Sequence, residues 1–382
     1  ITVPYLSRVI GVEGYGKIAF ASAVMVWVQT VADWGFLLTA TRDVAKCRDN
    51  KAEVSRIFSE TFFARCLLAI VSFIFLCLLI LIVPDFKENA EILFVTFLMI
   101  PGYIMFPDWF FQAIERMRYT TITNLLVKTI FTVAVFIFIK EKGDYIIVPL
   151  LASLGTVAAG IIAMYLILKK WDYSLHRVSF HSVILAIKRS TDVFINNLFP
   201  NLYNSLSVVL LGIYDGSVAN GIYSEGNKFV NIGQSVLGVV TRVFFPFLSR
   251  RIDKHRIYVV VYMGATFCIA VILFVSAPWL IDWLYTDEFA DAIPVLRIMS
   301  ISLVFVAMST AYGTNYLIVQ HERILRKITM WCSLAGFAIA YPLIIHYSYI
   351  GVAVTVTFSR MCLGISSWLA VMKLKKNHLE NK

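Results

Sequence analysis

Apolar runs and short polar turns alternate along this chain with a regular beat. Runs of about 20 predominantly apolar residues, the length a helix needs to cross a bilayer, occupy 17–40, 57–83, 92–113, 120–139 and 145–168. They resume at 190–213, 217–249, 257–281, 292–319, 324–346 and 350–372. Backbone polar groups inside lipid must be satisfied within the segment, so each run predicts a transmembrane helix. The chain opens at Ile1-Thr2-Val3-Pro4-Tyr5, already apolar, and reaches a polar turn by Gly11. This reads as the far end of a first span whose beginning is missing. The expectation is an all-α polytopic membrane protein of about 12 transmembrane helices, the first one truncated. Residues 1–169 form a first lobe, 170–189 a basic linker, and 190–382 a second lobe with a tail. In the linker, Leu175, Val178, Val183, Ile184 and Ile187 are spaced to line one face of an interfacial helix.

Lysine and arginine fall on alternate turns. Segments 42–56, 114–119, 169–189, 250–256, 320–327 and 373–382 hold 23 of them, whereas 11–17, 84–91, 140–145, 213–220, 281–291 and 346–350 hold 4. Short basic loops are retained on the cytoplasmic side, so the first set is expected to face the cytoplasm, as are both termini. The net charge of +10 then reflects topology and anionic headgroups; no nucleic-acid-binding motif accompanies it. Charged residues make up 15% of the chain, against about 25% in soluble domains. The opposite loops are short, which leaves no room for a soluble catalytic domain and argues against an enzyme. The chain lacks a G-x-x-x-x-G-K-[ST] phosphate loop. Its six cysteines show no C-x-x-C spacing and its six histidines no ligand spacing, so neither disulfides, nor a metal, nor a cofactor is expected.

Ionisable groups near the middle of a span cost at least ~2.5–3.5 kcal/mol on insertion scales, and they face a cavity or a partner. The basic set is Arg8, Arg65, Lys128, Lys228, Arg242, Arg297 and Arg360; the acidic set is Asp33, Glu60, Asp108, Asp192 and Glu225. Arg242 and Arg297 lie close enough to span ends to snorkel. Arg360, near the middle of the last span, is too deep for that. Glu225 and Lys228 stand at i, i+3 on one helix face and suit an ion pair. Asp192, Asn196, Asn197, Asn201 and Asn204 form a polar stripe, and Pro200 within it kinks the helix. Pro101-Gly102 and Pro107-Asp108 predict a broken span of the kind that lines a cavity. A basic interior suits anionic cargo, since Lys and Arg bind phosphate oxygens strongly. Arg8, Arg65, Lys128, Lys228 and Arg360 are the candidate cargo ligands. Asp33, Glu60, Asp192 and Glu225 are candidates for ion coupling or pairing.

The turn sequences of the two lobes are also alike. Gly11-Val-Glu-Gly14-Tyr15-Gly16 precedes one span, and Gly212-Ile-Tyr-Asp-Gly216-Ser-Val-Ala-Asn-Gly221-Ile-Tyr223 precedes its counterpart. Internal repeats of this kind are common in transporters, with substrate held between the halves.

Three stretches carry a family resemblance: Pro4-Tyr-Leu-Ser-Arg8-Val-Ile-Gly11-Val-Glu-Gly-Tyr15-Gly16, Asp33-Trp34-Gly35-Phe36, and Thr39-Ala-Thr-Arg42-Asp-Val-Ala45-Lys. They resemble the polysaccharide-transport branch of the multidrug/oligosaccharidyl-lipid/polysaccharide (MOP) exporters, and within it the Wzx (RfbX) O-antigen flippases. Gly221-Ile-Tyr-Ser224 and Ile293-Pro-Val-Leu-Arg297 fit the same family, and the likeness covers essentially the whole chain. Arg8, Asp33 and Arg42 match family motif positions; the other candidate ligands rest on depth alone. The resemblance implies the MOP exporter fold, two six-helix lobes in a V around a cationic cavity. It also implies alternating access coupled to an ion gradient. The implied cargo is an undecaprenyl-pyrophosphate-linked oligosaccharide, moved across the bacterial inner membrane beside other O-antigen assembly proteins such as a polymerase and a chain-length regulator. Two rival readings fare worse. An O-antigen polymerase or ligase is expected to carry a large periplasmic loop with arginines. A MATE-like multidrug exporter is expected to have an acid-rich interior.

Overall fold

The structure is a computed structural model that describes residues 2–250, 255–317 and 322–380; side chains are described except at 242–250, 255–256, 315, 322 and 375–380. Arg242 lies outside the described side chains. The described residues are helical almost throughout. The principal helices are α1 (Thr2–Asp33), α2 (Phe36–Lys46), α3 (Lys51–Ile82), α4 (Pro84–Glu88), α5 (Ala90–Phe97), α6 (Met99–Met105) and α7 (Asp108–Ala113). They continue as α8 (Met117–Phe138), α9 (Ile147–Tyr165), α10 (Phe180–Tyr203), α11 (Ser205–Arg250), α12 (His255–Leu284), α13 (Ala292–Met308) and α14 (Glu322–Glu380).

Nine helical stretches among the described residues are long and apolar enough to cross a membrane. Three of them contain a helix with a non-helical residue inside it: Gly11 in α1, Gly216 in α11 and Ser348 in α14. Divided there, they give the twelve segments expected of the sequence, and each break falls in a turn that the hydropathy pattern marks. Further interruptions follow local chemistry. The span from Ala90 to Ala113 is cut at Leu98 and again at Phe106-Pro107, as the two prolines require. α10 ends one turn after Pro200, where the Asn204 side chain donates to the Pro200 carbonyl at 2.9 Å.

The chain divides into two compact units: Ile1–Ile10 with Phe20–Leu198, and Gly11–Ala19 with Phe199–Lys382. The first unit has a core of Phe36, Val44, Phe58, Trp109, Phe110, Ile167 and Trp171 near its Lys/Arg-rich end. Its helices α6 and α9 approach through Gly102 and Gly160; a Cβ on Gly160 would lie 2.8 Å from the Gly102 carbonyl oxygen. Small residues at such crossings let backbones meet where lipid supplies no hydrophobic drive. Outward faces of α3 and α8 are apolar and open, as at Ile74, Phe75, Leu81, Leu125 and Ile130, which suits contact with acyl chains.

The linker departs from the expected interfacial helix. Residues 172–179 are not helical, and α10 begins only at Phe180. The Ser174 backbone N–H donates to Ser55 Oγ at 3.2 Å, and the His176 N–H to Ser59 Oγ at 3.0 Å. Two buried hydroxyls one turn apart on α3 thus satisfy alternate amides of an extended strap, and the strap needs no helix. Val178 and Val183 turn to the core, while Leu175 and Ile184 stay exposed.

In the second unit, α11, α13 and α14 bury Leu211, Leu296, Met299, Leu303, Val352 and Val356 completely. This unit also contains a reciprocal crossing. Gly11 (φ 65, ψ −177) and Gly216 (φ 79, ψ −170) share one backbone conformation, one that a side chain would disfavour. Five residues after each stands another glycine. A Cβ on Gly16 would sit 1.5 Å from the Ser217 carbonyl oxygen, and one on Gly221 would sit 2.2 Å from that of Val12. Each glycine therefore meets the residue that follows the other break, a pseudo-two-fold arrangement that gives physical form to the likeness between the two turn sequences.

Candidate functional site

The Asp33-Trp34-Gly35-Phe36 motif is a bend. α1 stops at Asp33, Trp34 and Gly35 take positive φ of 39° and 78°, and α2 starts at Phe36. Gly35 is required there, since a Cβ would lie 2.7 Å from Val193 Cβ. Trp34 stacks on Phe194 with ring centroids 3.8 Å apart and donates from Nε1 to Thr191 Oγ1 at 3.3 Å. The bend exposes Asp33 to α3, where Arg65 Nη2 donates to Asp33 Oδ1 at 2.5 Å. The Arg65 side chain is 6% exposed and that of Asp33 38%. A second guanidinium nitrogen reaches the Ile104 carbonyl at 3.5 Å, beside the break in the neighbouring span. The motif acid and the deep arginine thus form one unit.

Glu60 belongs elsewhere. It pairs with Arg56 at 3.3 Å, and Arg56 also holds Glu53 at 2.5 Å. Arg8 and Lys128 are exposed. Lys128 shares a stripe of α8 with the exposed Thr121 and Asn124 at helical spacing, a polar stripe beside an apolar face. Asp192 and Asn197 are exposed, and Asn196, Asn201 and Asn204 half-buried. Arg297 is exposed too and lies 5.6 Å from the Phe274 ring.

In the second unit, Lys228 and Glu225 pair as their spacing predicts, with Nζ 2.7 and 2.6 Å from the two carboxylate oxygens. Tyr285 adds its hydroxyl, donating to Glu225 Oε2 at 2.6 Å. The Glu225 side chain is 2% exposed and that of Lys228 34%. The ammonium group stands 4.8 Å from the Tyr15 ring centroid, and Tyr15 meets Phe289 edge-on at 5.8 Å. A buried carboxylate therefore anchors an accessible cation against aromatic faces, which attract cations. Sequence reasoning missed Tyr15 and Tyr285. Tyr15 was visible inside the Gly-Tyr-Gly motif; Tyr285, sixty residues from Glu225, carries no local signal.

Arg360 is 8% exposed. Its Nη1 donates to Ser302 Oγ at 2.8 Å. The Gln234 amide oxygen, in the orientation that satisfies both groups, accepts from Nη1 at 2.8 Å and Nη2 at 3.2 Å. These partners are neutral, so three helices share a positive charge that neither of them cancels. No carboxylate forms a salt bridge with it among the described residues. Outside the spans, Arg48 donates to Glu115 at 2.7 Å and holds that carboxyl below its ordinary range. This pair ties two turns of the Lys/Arg-rich end. The described residues contain no group of three side chains suited to a metal.

Comparison with known proteins follows the same lines. The family described as "Polysaccharide biosynthesis protein" matches residues 1–252. A provisionally named O-antigen transporter of Escherichia coli (strain K12) is 27% identical, with 99% of this chain and 93% of that protein covered. One of the same name from Shigella dysenteriae is 23% identical, covering 97% and 95%. Among solved structures, the lipid II flippase MurJ in an inward closed conformation superposes with a TM-score of 0.74 at 14% identity, covering 97% of this chain and 84% of that one. A MATE structure in a bent conformation gives 0.58 at 14% identity, covering 98% and 97%. At these identities the superpositions establish the fold. It is the MOP exporter fold, in agreement with the expectation from the sequence.

Proposed function

This chain belongs to the polysaccharide biosynthesis protein family, and we propose that it is a flippase for undecaprenyl-pyrophosphate-linked O-antigen repeat units. It carries them from the cytoplasmic to the periplasmic leaflet of the bacterial inner membrane by alternating access coupled to an ion gradient. Both termini face the cytoplasm, and a polymerase and a chain-length regulator act on the product. The transporter names of the relatives support this reading.

The observation that carries it is the Glu225–Lys228 pair. Lys228 presents an accessible ammonium group inside a membrane helix, and the acid that fixes it is sealed from water. A pyrophosphate head competes with Glu225 for that ammonium group. Glu225 is the candidate coupling acid, since its carboxylate holds Lys228 and any change in that hold changes what the ammonium group offers to cargo. The remaining cationic contacts come from Arg360, Arg65, Lys128 and Arg8, with the asparagines at 196, 197, 201 and 204 as polar lining and Asp33, Glu60 and Asp192 as partners or further coupling groups. A membrane potential negative inside also drives an anionic head outward, by ~2.3 kcal/mol per charge per 100 mV.

Complementation of a strain lacking the gene tests this. Lys228→Ala, alone and combined with Glu225→Gln so that no buried carboxylate is stranded, should abolish surface O-antigen and leave lipid-linked repeat units on the cytoplasmic leaflet, with the protein still inserted. Glu225→Gln should support export that no longer responds to an imposed pH gradient. An unchanged lipopolysaccharide ladder in the Lys228→Ala strain would remove this site from the account.

A further inference from the structure

One cavity of the first unit shares only Glu60 with the scheme above. It measures ≈ 360 Å³ and is walled by the end of α2, the start of α3 and the start of α10. That size lies within the ~300–1,000 Å³ typical of small-molecule sites. On its lining, Thr39 Oγ1 and Ser190 Oγ share a hydrogen bond of 2.7 Å. Its charged lining is balanced: Asp43, Glu53 and Glu60 face Lys46, Arg56 and Arg189. The balance is also organised. Arg56 is clamped between Glu53 and Glu60, which orients its planar nitrogens, takes both Glu53 oxygens and uses one of the two Glu60 oxygens.

Equal numbers of opposite charges give neither a phosphate nor an organic cation any net attraction. They do give a dense array of fixed donors and acceptors, interleaved with hydroxyls. A polyhydroxylated ring matches that array, since every sugar hydroxyl both donates and accepts. We propose that this cavity is a saccharide-docking site, where the sugar portion of the cargo is read at the Lys/Arg-rich end of the first unit. The inference rests on the flippase reading and adds to it the residues that select the repeat unit. Pyrophosphate binding and sugar selection are then the work of different residues, Lys228 for the one and this cavity for the other.

Cys47 lines the same cavity and is half-buried, which makes its thiol a reporter. The full-length protein, with its other five cysteines replaced by alanine, is placed in nanodiscs and treated with a maleimide. The probe is the free oligosaccharide released from the strain's own carrier lipid, with inorganic pyrophosphate as the comparison. At about ten times its Kd the saccharide should slow Cys47 alkylation roughly tenfold, and pyrophosphate should leave the rate unchanged. Arg56→Gln should lose this protection. Arg189→Gln, which touches none of the three acids' ion pairs, should lose most of it and guards against misreading a folding defect. In cells, both variants should lower export of complete repeat units more than export of units truncated to the first sugar. Protection by pyrophosphate equal to that by saccharide, or protection by neither, would overturn the proposal. Protection without flipping in vesicles would remove the flippase reading and keep the docking site; flipping without protection would do the reverse.

Discussion

Two guanidinium groups are buried among the described side chains, and the two units treat them differently. In the first, Arg65 meets Asp33, which the Trp34-Gly35 bend turns toward it at 2.5 Å. In the second, Arg360 meets a hydroxyl and an amide, and no carboxylate, among the described residues. Depth in a span marks both residues as costly to insert, but the solutions have opposite consequences. A buried ion pair is held by mutual need: removing one partner leaves the other charged and unsolvated, at about 3–5 kcal/mol. A buried cation among neutral dipoles leaves no orphaned charge when it is removed. The first arrangement therefore fixes a bend, and the second leaves a positive charge uncancelled, which the proposed function assigns to an anionic cargo.

The sharpest way to break this comparison is to delete one charge on each side. Asp33→Ala should destabilise the detergent-solubilised protein by about 3 kcal/mol, the low end of the range because Asp33 keeps a solvated edge. Thermal unfolding followed by tryptophan fluorescence checks it, and adding Arg65→Met should restore part of the loss. Arg360→Met should leave unfolding nearly unchanged, since no carboxylate is stranded, yet abolish O-antigen export; Arg360→Lys should keep part of it.

A smaller effect sharpens the same contrast. Ser302→Ala removes one hydrogen bond to a charged group and should cost about 1.5–3 kcal/mol, with export reduced rather than lost. The smallest test lies outside the membrane. Because Arg48 lowers the Glu115 pKa, this pair adds stability that is fully present above the ordinary glutamate value of ~4.3. That increment fades as pH falls through the lowered one. Glu115→Gln should remove this acid-range slope and change little else, because both groups are largely in water.

The sequence made the helices legible because lipid leaves the backbone few options. Its breaks at Gly11, Gly216 and Ser348 fell in turns marked by hydropathy, and the paired prolines announced the interrupted span ending at Ala113. The i, i+3 pairing of Glu225 with Lys228 was legible for the same reason: helix geometry alone sets it. Partners distant in the chain were not. Asp33 and Arg65 were each singled out, but nothing local joins two helices 32 residues apart. Glu60 was singled out as a candidate for coupling or pairing, and its i−4 neighbour Arg56 holds it. The extended strap at 172–179 was hidden because its amides are satisfied by Ser55 and Ser59, hydroxyls more than a hundred residues away. The neutral partners of Arg360 escaped for a related reason, since Ser302 and Gln234 look like ordinary polar residues of a span.

Reconstitution follows the translocation step itself. Purified protein is placed in liposomes with an undecaprenyl-pyrophosphate-linked oligosaccharide, and the fraction of sugar open to an added glycosidase is followed with time. Wild-type protein should expose the inner-leaflet pool, and Lys228→Ala protein should not. Equal exposure in wild-type, Lys228→Ala and protein-free vesicles would contradict the flippase reading.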